Sequence, residues 1–560
     1  MDKYTSGTMD GASLGLKKHN ISVFTAVFMV FSLVAAGCYG IEEMIPQAGP
    51  GLTIIMLIIL PFVWGLPFGL VASELGSARP QEGGYYKWVQ EGLGEFWGFQ
   101  AGWWRTISIY IDNTLYVVLA GGYLFSMMGS DNRYLEFAFK AAMILIFMYI
   151  NIRGVRDVGI VTNALSIFVI AAFAMVAIIG FINWGGSPFA DMTPEPVESA
   201  ADWILYVGAG ISIGMWMYSG YESMSTFAGE LKDPQVIPKA TLLTVPLIMA
   251  TYIFPTMAGV SALSGTGDPD LGFENWGTSV DSVGYATVAD VFWGPAFGIF
   301  FGVVAVIAQC SIYNTYIASG SRGFFALSED NLSPKFFTKV DKKYGVPYVS
   351  VISIAVVNLA LCMIDFSVLI VVDVFLLVSS YILVYVSAMR LRKRIPKEEY
   401  KFRIPGGPAF FKLLCIMPIV IAVISFLVNG SDYFIGGMIG IISGPVLYFI
   451  WKRFYGGLAK KDAEANPVNK KTGLALGDTK RLAILFGLLA VIGVLGCLFL
   501  PWYEADWAYP DDYDLQLFAS QDALFMGIRL MTIICAGLSV ICGFVSRAVE
   551  PKAEQLKKAE

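Results

Sequence analysis

The chain has 560 residues, of which 56% are hydrophobic and 15% charged, against roughly 45–50% and 25% in a soluble globular protein. Its apolar residues gather in runs of about 18 or more, each long enough to cross ~30 Å of hydrocarbon, which excludes an ordinary water-soluble enzyme. The net charge of −6 comes from 38 basic and 44 acidic residues that are segregated along the chain, so their placement says more than their sum. The one histidine, His19, lies in a polar tail, which excludes HExxH zinc sites and Ser-His-Asp triads. The seven cysteines (Cys38, Cys310, Cys362, Cys415, Cys497, Cys535 and Cys542) all sit in apolar runs without ligand spacing and read as small buried hydrophobes. No metal and no cofactor is expected.

In chain order, a cytoplasmic tail (1–20) shows no cleavage pattern, so the first span is expected to be retained and no signal peptide is expected. Spans are then predicted near 21–47, 51–76, 96–127, 137–152 and 158–182, the first repeat (21–182). Spans near 204–229, 240–264, 287–320, 347–364 and 368–389 form the second (204–390), followed by 411–428 and 434–451. A linker (452–480) leads to an extra pair, 481–501 and 522–545, and a C-terminal tail (546–560). Fourteen spans put both termini on one side.

The first span carries Gly37-Cys38-Tyr39-Gly40-Ile41-Glu42-Glu43, two glycines and then two carboxylates inside an apolar stretch. The sixth carries Tyr218-Ser219-Gly220-Tyr221-Glu222-Ser223, with one glycine and one carboxylate. A membrane helix that breaks must satisfy its freed backbone groups against protein, water or ligand, so mid-depth interruptions point to a binding site. The two breaks lie five spans apart, the spacing an inverted repeat of five plus five helices gives. Close helix packing is the competing reading for the glycines. A charge at mid-bilayer costs at least ~2.5–3.5 kcal/mol, so Glu222 is either a solute ligand or a hydrogen-bonding post for the unwound segment. Glu42 and Glu43 are either ligands or solvated at the outer mouth.

In the third span Arg105 and Asp112, at i and i+7, share a face that is either a water-lined wall or a packing network. The fifth span (158–182) offers no mid-span lysine or histidine as a proton carrier. Ser319 and Ser321, near the inner end of the eighth, could offer oxygens to a sodium ion, although such hydroxyls usually bond back to a helix carbonyl. Tyr39, Tyr221 and Trp103 are candidate gates or packing aromatics. Gly436, Gly440 and Gly444, four apart in the twelfth span, mark a packing face within the monomer or between two copies.

Lysine and arginine favour cytoplasmic flanks. With alternate loops tallied from the N-terminal tail, 34 of the 38 basic residues fall on the tail's side; Arg133 and Lys140 lie opposite, and Arg105 and Arg529 lie inside spans. The opposite loops 191–202, 268–290 and 504–522 hold acids and no bases. Both termini are therefore expected in the cytoplasm and the chain in the plasma membrane.

Around the breaks, Gly40-Ile41-Glu42-Glu43, Pro61-Phe62-Val63-Trp64-Gly65-Leu66-Pro67, Ala72-Ser73-Glu74-Leu75-Gly76, Gly83-Gly84-Tyr85-Tyr86-Lys87-Trp88-Val89 and Phe96-Trp97-Gly98-Phe99-Gln100 resemble the amino acid–polyamine–organocation superfamily of secondary transporters. Ile111-Asp112-Asn113-Thr114-Leu115-Tyr116 is similar to its polyamine branch, and Gly220-Tyr221-Glu222-Ser223 with Gly229-Glu230-Leu231-Lys232-Asp233-Pro234 to its sixth helix. Asp330-Asn331-Leu332-Ser333-Pro334-Lys335, Gly345-Val346-Pro347 and Phe402-Arg403-Ile404-Pro405-Gly406-Gly407 resemble its connections, so the likeness runs over roughly 20–452. It implies an all-α, leucine-transporter-like five-plus-five inverted repeat with helices one and six broken and four further helices. It also implies a site framed by Gly37, Cys38, Tyr39 and Gly40 on one side and Tyr218, Ser219, Tyr221 and Glu222 on the other, with Ile41 and Gly220 also counted as substrate-binding.

Two departures matter. Helix one lacks the commoner Gly-Ser-Gly, and the polyamine branch tends to carry an aromatic followed by Asp where this chain has Tyr221-Glu222. The expected activity is ion-coupled symport or exchange of amino acids by alternating access, driven by H+ or Na+. A polyamine, held by Glu42, Glu43, Asp112 and Glu222, is the alternative within the class. Outside it stand a non-transporting sensor with the same fold, a channel and, weakest, a membrane enzyme. The expected partners are the amine-bearing solute and the lipid bilayer, with no nucleic acid, as a monomer or homodimer.

Overall fold

The computed structural model describes residues 22–35, 37–80, 83–153, 158–221, 233, 236–278, 282–469, 471–504 and 520–549, the side chains of 158–164 excepted. Twelve helical spans among them are long and apolar enough to cross a membrane, and the shorter apolar helices Val23–Val34 and Tyr348–Leu361 complete the fourteen expected. The first span is α1 (Val23–Val34) and α2 (Ile41–Ala48), separated by a non-helical stretch. The second is α3 (Pro50–Leu60) and α4 (Leu66–Ala78), joined through a π-helical turn, Pro61–Gly65. A short α5 (Gly84–Leu93) precedes α6 (Glu95–Met128), α7 (Arg133–Arg153) and α8 (Val158–Ile182). Then come α9 (Ala200–Met217), α10 (Val236–Ser264), α11 (Tyr285–Trp293), α12 (Pro295–Glu329), α13 (Tyr348–Leu361) and α14 (Phe366–Arg394). The chain closes with α15 (Gly407–Val428), α16 (Ser431–Tyr455), α17 (Asp478–Tyr503) and α18 (Gln521–Val549).

Two boundaries differ from expectation. The eighth span starts at Pro295, not 287, because Gly294 (φ +95°) separates it from α11. The sixth starts earlier, where Ser199 and Asp202 form a capping box that satisfies the first free N–H groups of α9; α9 ends at Met217, and 222–229 lie outside the described residues.

Proline explains much of the packing. A proline lacks the N–H that would bond the carbonyl four residues back, and an acceptor left bare in the interior costs about 1–3 kcal/mol. Pro61 frees Leu57, whose carbonyl accepts the Tyr218 hydroxyl at 2.8 Å. Pro255 frees Thr251, which accepts the Cys38 thiol at 2.9 Å. Pro445 frees Ile441, which accepts the Trp104 indole at 3.0 Å. Each repair comes from a different span and fixes the depth at which the two pack.

Helix α6 is the axis of the bundle, packed along α12 and α14. At the end rich in lysine and arginine, the basic end, buried charges tie the helices together. Glu74 accepts the Ile404 N–H and faces Arg392, while Glu95 is held by Lys452 and by the Leu458 N–H at 3.0 Å. Tyr448 bridges Glu95 to Asp478, at the start of α17. The linker after α16 is thus pinned to the bundle, and Lys461 within it reaches Asp330 at 2.8 Å. The extra pair, α17 and α18, packs chiefly on itself and against α15, α16 and α9. In α16, Gly440 and Gly444 face Leu376, Gln100 and Trp104, whereas Gly436 faces open space.

Candidate functional site

Both expected breaks are present. Helix α1 ends at Val34, and α2 restarts after Gly37 (φ +113°) and Gly40 (φ +95°). Helix α9 ends at Met217, followed by Tyr218, Ser219 and Gly220 (φ +104°). The left-handed conformation of Gly40 turns the chain into α2 directly beneath Trp216, where a side chain would meet the indole at 3.2 Å.

The freed ends are satisfied by tyrosines. The Tyr252 hydroxyl on α10 reaches the carbonyls of Met217 (3.0 Å) and Val34 (3.4 Å), the last residues of the two broken helices. The Gly220 N–H donates to the Tyr381 hydroxyl on α14 at 3.3 Å. At the start of α2, the Gly40 N–H donates to its own neighbour, the Glu42 carboxylate, at 3.1 Å, and Tyr123 donates to the same oxygen at 2.8 Å. A helix N-terminus carries about half a positive charge; here a resident carboxylate, 2% exposed, already occupies it.

The remaining predicted residues divide between wall and brace. Tyr39 packs edge-on against Tyr123 and Phe173, and its hydroxyl, like that of Tyr221, is buried with no hydrogen-bond partner. Both residues belong to the interrupted stretches, and their hydroxyls are free to serve a solute. Cys38, Tyr218 and Ser219 are braces: Cys38 and Tyr218 fill the bare carbonyls described above, and Ser219 bonds the Met215 carbonyl at 2.7 Å while accepting the Trp64 indole. Ile41 is fully buried in the core beneath the break. Glu43 turns to the loop 268–290, where it accepts the N–H (2.8 Å) and hydroxyl of Thr278. Asp112, 1% exposed, accepts the Trp216 indole at 2.9 Å and faces Tyr116, whose ring stacks on Trp216. Glu222 lies outside the described residues. Trp103 donates to Ser443 on α16, away from the breaks. Ser321 bonds back to the Ala318 carbonyl at 2.9 Å; Ser319 is buried on the same turn.

Sequence reasoning missed Asp373. On α14 it stands seven residues after Phe366, whose ring meets Trp216 at 5.7 Å, and eight before Tyr381, which holds Gly220. On a helix these three share a face, so Asp373 is presented between the two breaks, fully buried. Its carboxylate accepts the Ser108 hydroxyl at 2.6 Å, and Ser108 accepts Arg105 at 2.9 Å. The signal was available: an ionisable residue inside an apolar run is the rule that singled out Glu222. Tyr252, Trp216 and Tyr381 were also missed, because nothing local marks an aromatic as the partner of a distant helix end.

Read along α6, the acids form a column. Asp373 sits at the level of Ser108, Asp112 one turn on, and Glu42 at the level of Tyr123. The rise is about 6 Å for the first step and about 16 Å for the second. Aromatic rings of Tyr116, Trp216, Tyr316 and Phe366 line the middle.

The sequence profile of the amino acid permease family matches residues 21–458. The polyamine transporter RMV1 of Arabidopsis thaliana is 27% identical over 435 residues, 76% of this chain and 84% of its own. The serine/threonine exchanger SteT of Bacillus subtilis is 25% identical over 454 residues, 78% of this chain and 98% of its own. Among solved structures, MhsT in complex with L-phenylalanine overlays with a TM-score of 0.51 at 15% identity, covering 74% of this chain and 99% of that one. The overlay shows a leucine-transporter-like fold, in agreement with the two broken helices.

Proposed function

The chain belongs to the amino acid permease family of secondary transporters, and from that premise we propose that the solute it carries is a linear di- or polyamine. One observation carries this reading: Glu42, Asp112 and Asp373 are buried on the segments that carry or touch the breaks, and Glu42 already caps the positive pole of α2. In a leucine-transporter-like site that pole suits the carboxylate of an α-amino acid; here an incoming carboxylate would meet a resident one. Burying several carboxylates along one column is costly, so the column favours ammonium groups. A four-carbon diamine, five bonds of about 1.5 Å in zigzag, spaces its nitrogens by about 6 Å, close to the rise from Asp373 to Asp112. The rings between the acids suit its methylene stem and add cation–π attraction. The likeness to RMV1 supports the same solute class.

α-Amino acids are the second reading, favoured by the opposed poles of two broken helices and by the likeness to SteT. The proposal puts the basic end in the cytoplasm, which the segregation of lysine and arginine supports, and the chain in the plasma membrane. Coupling to H+ or Na+, symport or exchange, belongs to this proposal as well. The test is uptake of radiolabelled putrescine, spermidine, serine and phenylalanine into proteoliposomes, with thermal shift of the same panel. Uptake of the amines, weakened at least tenfold by Asp112→Asn, is expected. Uptake of neutral amino acids without amines would overturn the reading, and binding without accumulation would favour a sensor.

A further inference from the structure

Arg105, Ser108 and Asp373 are each fully buried and form a chain: the guanidinium donates to the Ser108 hydroxyl at 2.9 Å, and that hydroxyl donates to the Asp373 carboxylate at 2.6 Å. Arg105 stands on α6 two turns from Asp112, toward the basic end, while Asp373 occupies the face of α14 that touches both breaks. The site thus holds a positive charge of its own, tethered beside the acid furthest from Glu42. We propose that Arg105 is a built-in counter-cation for Asp373, which lets the carrier return empty and so permits net transport and not exchange alone. This rests on the reading that the solute is a di- or polyamine.

The physical reasoning follows from charge compensation. A carrier passing through an occluded state must bury whatever charges line its site, and an uncompensated carboxylate in a low-dielectric interior is costly whereas a paired one is far less so. With a diamine bound, one ammonium compensates Asp112 and the other Asp373, and Arg105 is displaced toward the basic end on its flexible stem. With the site empty, Arg105 turns back through Ser108 to Asp373, and Asp112, two turns along the same face of α6, keeps the indole of Trp216 and the contact with Tyr116 within the field of the same guanidinium. Both forms can then close. Without Arg105, the empty form carries Asp373 without that guanidinium and stalls, so only a carrier refilled with amine can return.

The experiment uses the full-length protein in proteoliposomes and compares two fluxes of labelled putrescine: net uptake into amine-free vesicles, and exchange against internal putrescine. In Arg105→Gln the ratio of net uptake to exchange is expected to fall at least tenfold, with KM for putrescine lowered because its competitor is gone. Arg105→Lys should restore the ratio in large part. The double variant Arg105→Gln/Asp373→Asn, which removes both charges, should regain net uptake with a raised KM. Asp373→Asn alone, which leaves Arg105 without its acid, should raise the KM for putrescine at least tenfold. A wild-type ratio in Arg105→Gln, or a wild-type KM in Asp373→Asn, would overturn the role of Arg105. If Arg105→Gln does not survive solubilisation, Asp373→Asn and the double variant decide: a KM unchanged in the first, or no net uptake in the second, refutes it. Absence of putrescine flux in the wild-type protein would overturn the solute reading, and this role with it; flux with unchanged ratios overturns this role alone.

Discussion

Gly220→Ala tests whether the break in the sixth helix sets the geometry of the site. Gly220 has φ +104°, and a methyl group there would lie 2.5 Å from the Leu33 carbonyl oxygen and 2.8 Å from the Tyr316 hydroxyl. Placing an L-residue in the left-handed region costs about 1–2 kcal/mol, and overpacking a tight interior adds about 1–3 kcal/mol. The Tyr316 hydroxyl can swing aside. The Leu33 carbonyl cannot, because it belongs to the last turn of α1, so relief requires pulling one broken helix off the other. A strain of roughly 2–5 kcal/mol that falls on the solute-bound state weakens apparent affinity by at least about 30-fold. The assay is putrescine uptake against concentration in proteoliposomes, with the melting temperature followed by tryptophan fluorescence. Gly436→Ala is the control: its methyl meets nothing within 4 Å, and alanine in a helix interior gains about 0.5–1 kcal/mol over glycine. Uptake by Gly220→Ala within threefold of wild type, at an unchanged melting temperature, would refute the argument that the two breaks are in obligatory contact.

Tyr252→Phe leaves the carbonyls of Met217 and Val34 without their hydroxyl, at an expected loss of about 1–3 kcal/mol; a lower melting temperature and reduced uptake check it, and wild-type values in both would contradict it. Burial alone would raise the Asp330 carboxyl, but the ammonium groups of Lys87 and Lys461 outweigh it and hold the group well below the usual carboxylate range. A depressed carboxylate stabilises the fold above its unfolded pKa and loses that contribution as the pH falls below it. Lys87→Met should therefore cost on the order of 2–3 kcal/mol near neutrality, the half-exposed Lys461 keeping it from the larger losses of a fully broken buried pair, and Lys87→Met/Asp330→Asn should recover part of it in thermal melts. Glu504, just past α17, is pushed from 4.5 to about 7, by burial first, against hydrogen bonds from Ser431. The folded form then holds a proton that the unfolded form releases, so stability declines as the pH rises from 4.5 toward 7. Glu504→Gln, which can keep its acceptor toward the Ser431 N–H, should flatten the dependence and melt higher than wild type at about pH 8 by on the order of 1–3 kcal/mol.

The sequence by itself determined where the chain crosses the membrane and where it breaks. Span length follows from hydrocarbon thickness, and among the described residues each apolar run reappears as helix, the eighth displaced by eight to nine residues. Gly40 and Gly220 supply backbone freedom that no neighbour has to grant. Pro61, Pro255 and Pro445 bare the carbonyls of Leu57, Thr251 and Ile441 whatever the fold. What the tertiary structure decided is the identity of each partner. Tyr218, Cys38 and Trp104 repair those carbonyls from 161, 213 and 337 residues away, and Tyr252 joins two helix ends that are remote in sequence. Asp373 reads as one acid in an apolar run until α14 turns it toward Ser108 and Arg105. Trp103, a candidate gate by composition, is rotated onto α16. The physical reason is that a missing donor or an apolar length is a property of a few consecutive residues. The group that supplies the bond, or faces the charge, is chosen by which helices pack together, and that choice is made by the whole bundle at once.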